Sequence, residues 1–105
     1  MKAKYVQRGD SFDYIPSADV KAGDVIVLGD LVGIAKVDIP AGKLGSLAAC
    51  GIFDFVKKAS EAVTAGVKVY WDGDTATVTE GATVLGLTVA AAGANDETVR
   101  VLINA

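Results

Sequence analysis

The side chains that could do chemistry in this sequence stand at four places, and each lacks a partner the chemistry requires. Cys50 is the one cysteine among 105 residues, and histidine is absent. A thiolate nucleophile needs a neighbouring base or cation. Cys50 lies instead in the apolar run Leu47-Ala48-Ala49-Cys50-Gly51-Ile52, where it is expected as a small buried hydrophobe. A lone cysteine also excludes an internal disulfide and a cysteine metal cluster. Ser46 and Ser60 lie near Lys43 and Lys57, but neither has the Ser-x-x-Lys spacing of a serine–lysine hydrolase. Asp72-Gly73-Asp74 spaces two carboxylates as calcium loops do. An EF-hand loop beginning there needs glycine sixth and glutamate twelfth, and Thr77 and Thr83 occupy those positions. A solvated hairpin turn is the better reading. Gly42-Lys43 fails as a phosphate loop, with Val37 where a glycine is needed and Leu44 where a magnesium-binding hydroxyl belongs. Asp10 with Asp13, and Asp96 with Glu97, read as exposed loop charges. The expectation is no catalytic residue, no cofactor and no metal site, hence no enzyme.

The elements that would position such side chains are strands. The length suits a single β-rich domain over residues 1–105, with residues 1–18 as an extended N-terminal arm. Hydrophobic residues make up 51% of the chain, too many for a disordered one, and much of that content is Ala and Val. Charge is unevenly placed. Lys2, Lys4 and Arg8 precede the first acid, Asp10, and the remainder carries seven bases against all thirteen acids. A basic arm on an acidic body is a poor footprint for nucleic acid. There is no signal-like apolar start and no stretch of membrane-spanning length. With the lone cysteine, this suits a reducing, cytoplasm-like setting.

Residues 4–8 alternate weakly and suit an edge strand, and Pro16 keeps Tyr14-Ile15 off a central ladder. Val25–Leu28 and Leu31–Val37 are joined by Gly29-Asp30, which predicts a type II′ hairpin. Gly45–Phe55 reads as one further strand with a bulge at Gly51. Helix formers over residues 55–65, stopped by Gly66, predict one short helix near residues 55–64. Val67–Trp71 alternates, and Asp72-Gly73 suits a type I′ turn into Thr75–Thr79. Tyr70 and Trp71 read as strand packing; an exposed aromatic patch there would suit a glycan- or receptor-binding surface. Val84–Ala91 and Thr98–Ile103 form a last hairpin across Gly93–Asp96. The fold class is therefore all-β, a small β-barrel or sandwich of short antiparallel strands.

A duplication is also visible. Lys21–Leu28 is similar to Thr64–Trp71, and Leu31–Ala35 to Val84–Thr88, with Asp72–Thr79 as an excursion in the second copy. Two such halves suit closure into a small barrel.

These segments together resemble a family of small phage proteins, domain of unknown function 2190. Lys4-Tyr5-Val6-Gln7-Arg8-Gly9-Asp10, Ala22–Val27 and Leu31–Ala35 carry the first part of the resemblance. Gly51-Ile52-Phe53-Asp54-Phe55-Val56-Lys57-Lys58-Ala59 and Gly66-Val67-Lys68-Val69-Tyr70-Trp71-Asp72 are similar to its GVFDLPKA and G-x-x-VYWD patterns. Leu85–Ala90 and Val99–Ile103 are similar to its closing strands. Phe55-Val56 stands where the family often has Leu-Pro, and without that proline a helical course is favoured. Some members are labelled predicted recombinases, a label this chain, with no phosphate loop, does not support. The resemblance implies a phage head decoration, or capsid cement, protein on the outer capsid surface. It would stabilise the shell as a homotrimer at junctions between major capsid proteins, on the virion and, during assembly, in the host cytoplasm. Lys2, Lys4, Tyr5 and Arg8 are then the candidate capsid contacts, and the small residues Ala90-Ala91-Ala92 suit a close subunit contact. No nucleic acid and no membrane is expected as partner. The alternatives are a virion-displayed receptor- or carbohydrate-binding module and a recombination accessory.

Overall fold

The computed structural model describes residues 2–6, 9–81 and 83–104, and over these the chain is all-β. The first sheet has the order β1-β4-β3-β2, with β1 Ser11–Tyr14, β2 Val25–Leu28, β3 Leu31–Ala35 and β4 Gly45–Ala48. The second has the order β5-β9-β8-β6-β7, with β5 Ile52–Val56, β6 Lys68–Trp71, β7 Ala76–Thr77, β8 Val84–Thr88 and β9 Thr98–Ile103. All of these strand pairings are antiparallel. The sheets stack as a sandwich and neither closes into a barrel, which decides between the two expected architectures.

The duplication governs this arrangement and reaches further than the sequence similarity. Gly23 donates its N–H to the Ala35 carbonyl and Ala35 donates to Asp24; Gly66 likewise donates to Thr88, and Thr88 to Val67. The bridges Val20↔Ile39 and Val63↔Ala92 occupy matching places. Ile26↔Gly33 matches Val69↔Gly86, and Phe12↔Leu47 matches Phe53↔Val101. The turns match too, Lys43 donating to Pro40 and Asp96 to Gly93, both at 3.1 Å. Each half is one four-stranded sheet, and β7 is the excursion of the second. The two halves are stacked rather than curled into one barrel because each half pairs its own strands side by side.

Alternation assigns the faces. On the first sheet, Phe12, Tyr14, Ile26, Ala35 and Leu47 gather with Val20 and Ile39 in a small core of their own. The opposite face turns Val25, Val32, Ile34 and Ala48 into the larger core, where the second sheet contributes Phe53, Phe55, Val69, Leu85, Val99, Val101 and Ile103. Asn104 ties the sheets together, its side-chain amide donating to the carbonyls of Val32 and Ala49.

Several expectations need correction. No helix forms near residues 55–64. β5 runs through Val56, after which Lys57 N–H donates to the Glu97 carbonyl and Lys58 N–H to that of Ala76, while Val63 pairs with Ala92. Ser60 has φ +64°, outside the right-handed helical region. Tertiary partners thus take the hydrogen bonds a short, marginal helix would have made for itself. Gly45–Phe55 is two strands, one in each sheet, and Gly51 (φ +126°) marks the passage between them rather than a bulge. The register shift falls instead at Val69/Tyr70. Of residues 4–8, residues 4–6 form no strand, residues 7 and 8 lie outside the described residues, and β1 takes the edge.

The Gly29-Asp30 hairpin forms as expected, with Leu28↔Leu31 closing the loop and positive φ at Gly29 alone, as type II′ requires. Asp72-Gly73 forms its hairpin through a longer loop, because Trp71 pairs with Ala76 rather than closer in. Here the Asp72 carboxylate accepts the N–H groups of Asp74 and Thr75 and the Thr75 hydroxyl. An aspartate that bonds its own downstream backbone replaces the two-residue turn with an Asx-turn.

Candidate docking surfaces

The chemistry-bearing residues are placed apart or committed to the fold. Lys57 is buried, and its Nζ donates to the carbonyls of Lys58 (2.9 Å) and Glu61 (2.5 Å). Ser60 is exposed in the turn that follows, and Ser46 pairs with Asp13 in β4 while Lys43 sits in an exposed turn. Lys57 is thus committed to backbone carbonyls rather than to a serine hydroxyl. Cys50 is exposed rather than buried, its Sγ 3.4 Å from Asp10 Oδ1. It falls at the end of β4, where the chain leaves the first sheet, so the apolar run around it does not cover it. Among the described residues, no three Asp, Glu or Cys side chains converge as a metal-ligand set. Among the described residues, no helix is long and apolar enough to cross a membrane.

Many of the acids cap loops. Asp19 accepts the Ala41 N–H, Asp38 that of Ala22, Asp24 that of Lys21 and Asp96 that of Gly93. Asp72 is the most heavily engaged. The N–H of Asp74, then the N–H and hydroxyl of Thr75, hold its carboxyl below the ordinary 3.8, against a small opposing effect of burial and with help from Lys58. A carboxyl whose folded pKa is depressed stabilises the fold above its ordinary value and loses that contribution as pH falls through the folded one. A carboxyl-carbon NMR titration should therefore place Asp72 below 3.8, and Asp72→Asn should flatten the acid-side stability profile; a midpoint at or above 3.8 would refute the loop geometry.

Three surface features remain. The first is the arm: Lys2, Lys4 and Tyr5 are exposed in a segment without strand structure, and Arg8 lies outside the described residues. The second is an open cleft of about 480 Å³ between the residue 56–60 and 94–98 segments, with Ser60, Asn95, Asp96 and Glu97 on its walls. The third is the outer face of the second sheet. There Ile52, Leu102, Leu87 and Lys68 form one row across four strands, and Asp54 pairs with Arg100 beside it, Nε to Oδ1 at 3.0 Å. That hydrogen bond, then the charge of Asp54, raises the Arg100 pKa further. Ile52, Leu87 and Leu102 are exposed apolar side chains. Sequence reasoning did not single this face out, although strict alternation in Thr98–Ile103, which buries Val99, Val101 and Ile103, exposes Leu102 by the same rule.

Trp71 and Tyr70 are half-buried, and Trp71 meets Phe55 edge-on with ring centroids 6.0 Å apart. This is core packing, not an exposed aromatic platform. Of Ala90-Ala91-Ala92, the first two are exposed and Ala92 is buried in the larger core.

With exposed Ile52, Leu87 and Leu102 on the outward sheet face and no metal-ligand set among the described residues, the family comparison decides. The family model for phage cement protein matches residues 6–103. The chain belongs to that family. The match spans β1 through β9 and leaves out Lys2, Lys4 and Tyr5. Neither the curated proteins nor the solved structures contain a match. A cement protein is a structural phage protein that binds the capsid, and this chain has a capsid cement function, located on the virion.

Proposed function

We propose that the chain, as one domain, binds the outer surface of the capsid through the major capsid protein and stabilises the shell as a homotrimer without catalysing any reaction. The family match over residues 6–103 carries this reading. In support, the nucleophiles and bases are spread over the fold, and Lys57 is held by carbonyls. Assembly would take place in the host cytoplasm. Residues 1–18 serve as the arm, anchored where β1 pairs with β4. Lys2, Lys4, Tyr5 and Arg8 reach the capsid, the cations toward acidic groups and Tyr5 toward an apolar one. Capsids prepared without the chain should release DNA at a lower temperature and recover when it is added back; no binding and no recovery would end this reading. The arm is tested separately. A chain lacking residues 1–9 should bind capsids more weakly at low salt, and the difference should shrink as salt screens the charges. Equal binding at low salt would remove the arm from the contact.

A further inference from the structure

We propose that copies of this chain associate head to tail, the outer face of the second sheet of one copy seating on the first sheet's face carrying Phe12, Tyr14 and Leu28 in the next. The inference deepens the oligomeric part of the proposed function and is independent of capsid binding. Its basis is the contact the two halves already make inside the chain.

In that contact, Val25, Ile34 and Ala48 of the first sheet pack toward Phe53, Phe55 and Trp71 of the second. A shared hollow lined by Val25 and Ile34 on one side and Phe53–Val56 and Trp71 on the other marks the junction. The duplication gives every one of these residues a counterpart. Val25, Ile34 and Ala48 correspond to Lys68, Leu87 and Leu102, through the matching pairs Val25↔Ile34 and Lys68↔Leu87, and Ile34↔Ala48 and Leu87↔Leu102. Phe53 and Phe55 correspond to Phe12 and Tyr14, and Trp71 to Leu28 by its place in the repeated segment, the β6–β8 ladder having shifted register between Val69 and Tyr70.

Several of these counterparts are apolar side chains left more exposed than the residues they match. Ile34 is 5% exposed, yet Leu87 is 37% and Leu102 36% exposed. Phe55 is 4% exposed, yet Tyr14 is only half-buried and Leu28 is 40% exposed. Each end of the stack is thus one half of an interface that the chain forms once internally. A stack of repeats is soluble when its terminal faces are polar, and here exposed leucines remain at both ends, Leu87 and Leu102 at one and Leu28 at the other. Relative to the first sheet's inner face, the outgoing face carries two added charges, Lys68 in place of Val25 and Arg100 in place of Ser46, the latter already paired with Asp54. Because the two faces differ, the contact is heterologous, and repetition gives a closed ring or, without closure, a filament.

The test is light scattering on the full chain across a concentration series, with Leu87→Glu on the outgoing face and Leu28→Glu on the receiving face. Both positions are exposed; far-UV circular dichroism checks the fold, and Leu102→Gln replaces Leu87→Glu should the latter unfold. The wild type should be a multimer and each variant a single chain. An equimolar mixture of the two variants should give a two-chain complex and nothing larger, since only one intact interface can form. A single-chain wild type up to its solubility limit overturns the proposal. So does a Leu28→Glu chain that remains a multimer, which would mean that the outer face packs on itself, or a mixture that stays single-chain. Capsid binding of the same wild-type preparation separates the two readings. A single chain that binds capsids removes the head-to-tail contact alone, and a multimer that ignores capsids removes the cement mechanism alone.

Discussion

Replacing Gly86 by alanine should destabilise the fold by about 3–5 kcal/mol, a large share of the roughly 5–15 kcal/mol available to a domain of this size. Two costs combine. Gly86 has φ +154°, a region that side chains with a Cβ avoid, at about 1–3 kcal/mol. A Cβ there would also overlap the Leu102 carbonyl oxygen and come within 3.0 Å of Ile103 Cα. Both are backbone atoms of β9, so relief requires β8 and β9 to separate in the middle of the second sheet. Two controls separate the contributions. Gly73 has φ +108° and nothing within 4 Å of the methyl that an alanine would add, so Gly73→Ala carries conformational strain alone. Gly33, the counterpart of Gly86, would meet Leu47 and Phe12 side chains at 2.9–3.0 Å, and side chains yield more readily than a paired strand. Urea unfolding should rank Gly86→Ala well below both in stability. Equality with Gly73→Ala would mean that the two strands do not approach so closely.

The sequence made the strands and most turns legible because their signals are local. Val25–Leu28 and Leu31–Ala35 are β-branched runs around a Gly-Asp turn, and the hairpin follows from those residues alone. The absent helix shows the converse. Residues 55–64 have adequate helix propensity, but what decides their course is Glu97, Ala76 and Ala92, which supply backbone partners from elsewhere in the chain. No periodicity within the segment reports on them. The repeat was legible only where it is hydrophobic. Its other half, β1 matching β5, shows in the sequence as Phe12-Asp13-Tyr14 against Phe53-Asp54-Phe55, a signal too short to stand without the register. The outer face was legible in principle, since alternation exposes one set of residues wherever it buries the other. That it is apolar where its counterpart is buried emerges only once the halves are superposed. Cys50 was misread for a related reason. An apolar run is buried only if its strand stays in one sheet, and this one ends as the chain leaves the first sheet for the second.

Lys57 is the buried residue on which the irregular segment after β5 depends, and Lys57→Met should cost about 2–3 kcal/mol. Exchanging a buried charge for an apolar side chain can be neutral when its charged partner is removed along with it. Here the acceptors are the carbonyls of Lys58 and Glu61, which remain when the ammonium is gone. Losing a donor while its acceptors stay in place is the costly direction of the exchange, and charged hydrogen bonds are the stronger kind. The damage should also travel. With residues 58–61 anchored, the Glu61 carboxylate accepts the Thr77 hydroxyl at 3.0 Å and the Val78 N–H at 2.7 Å, which fixes the short β7 at the sheet edge. Amide exchange in Lys57→Met should therefore accelerate at Val78 as well as at Lys58, before the rest of the second sheet opens. Glu61→Ala should speed exchange at Val78, whose N–H the Glu61 carboxylate accepts directly, more than at Lys58, whose N–H bonds to Ala76. The double variant should lose less than the two single losses combined, because both act through one anchored segment. If Lys57→Met unfolds at the wild-type urea midpoint and leaves Val78 protected, the lysine fills space without holding the segment, and β7 is kept in place by its pairing with β6 and by the Lys58–Ala76 hydrogen bond.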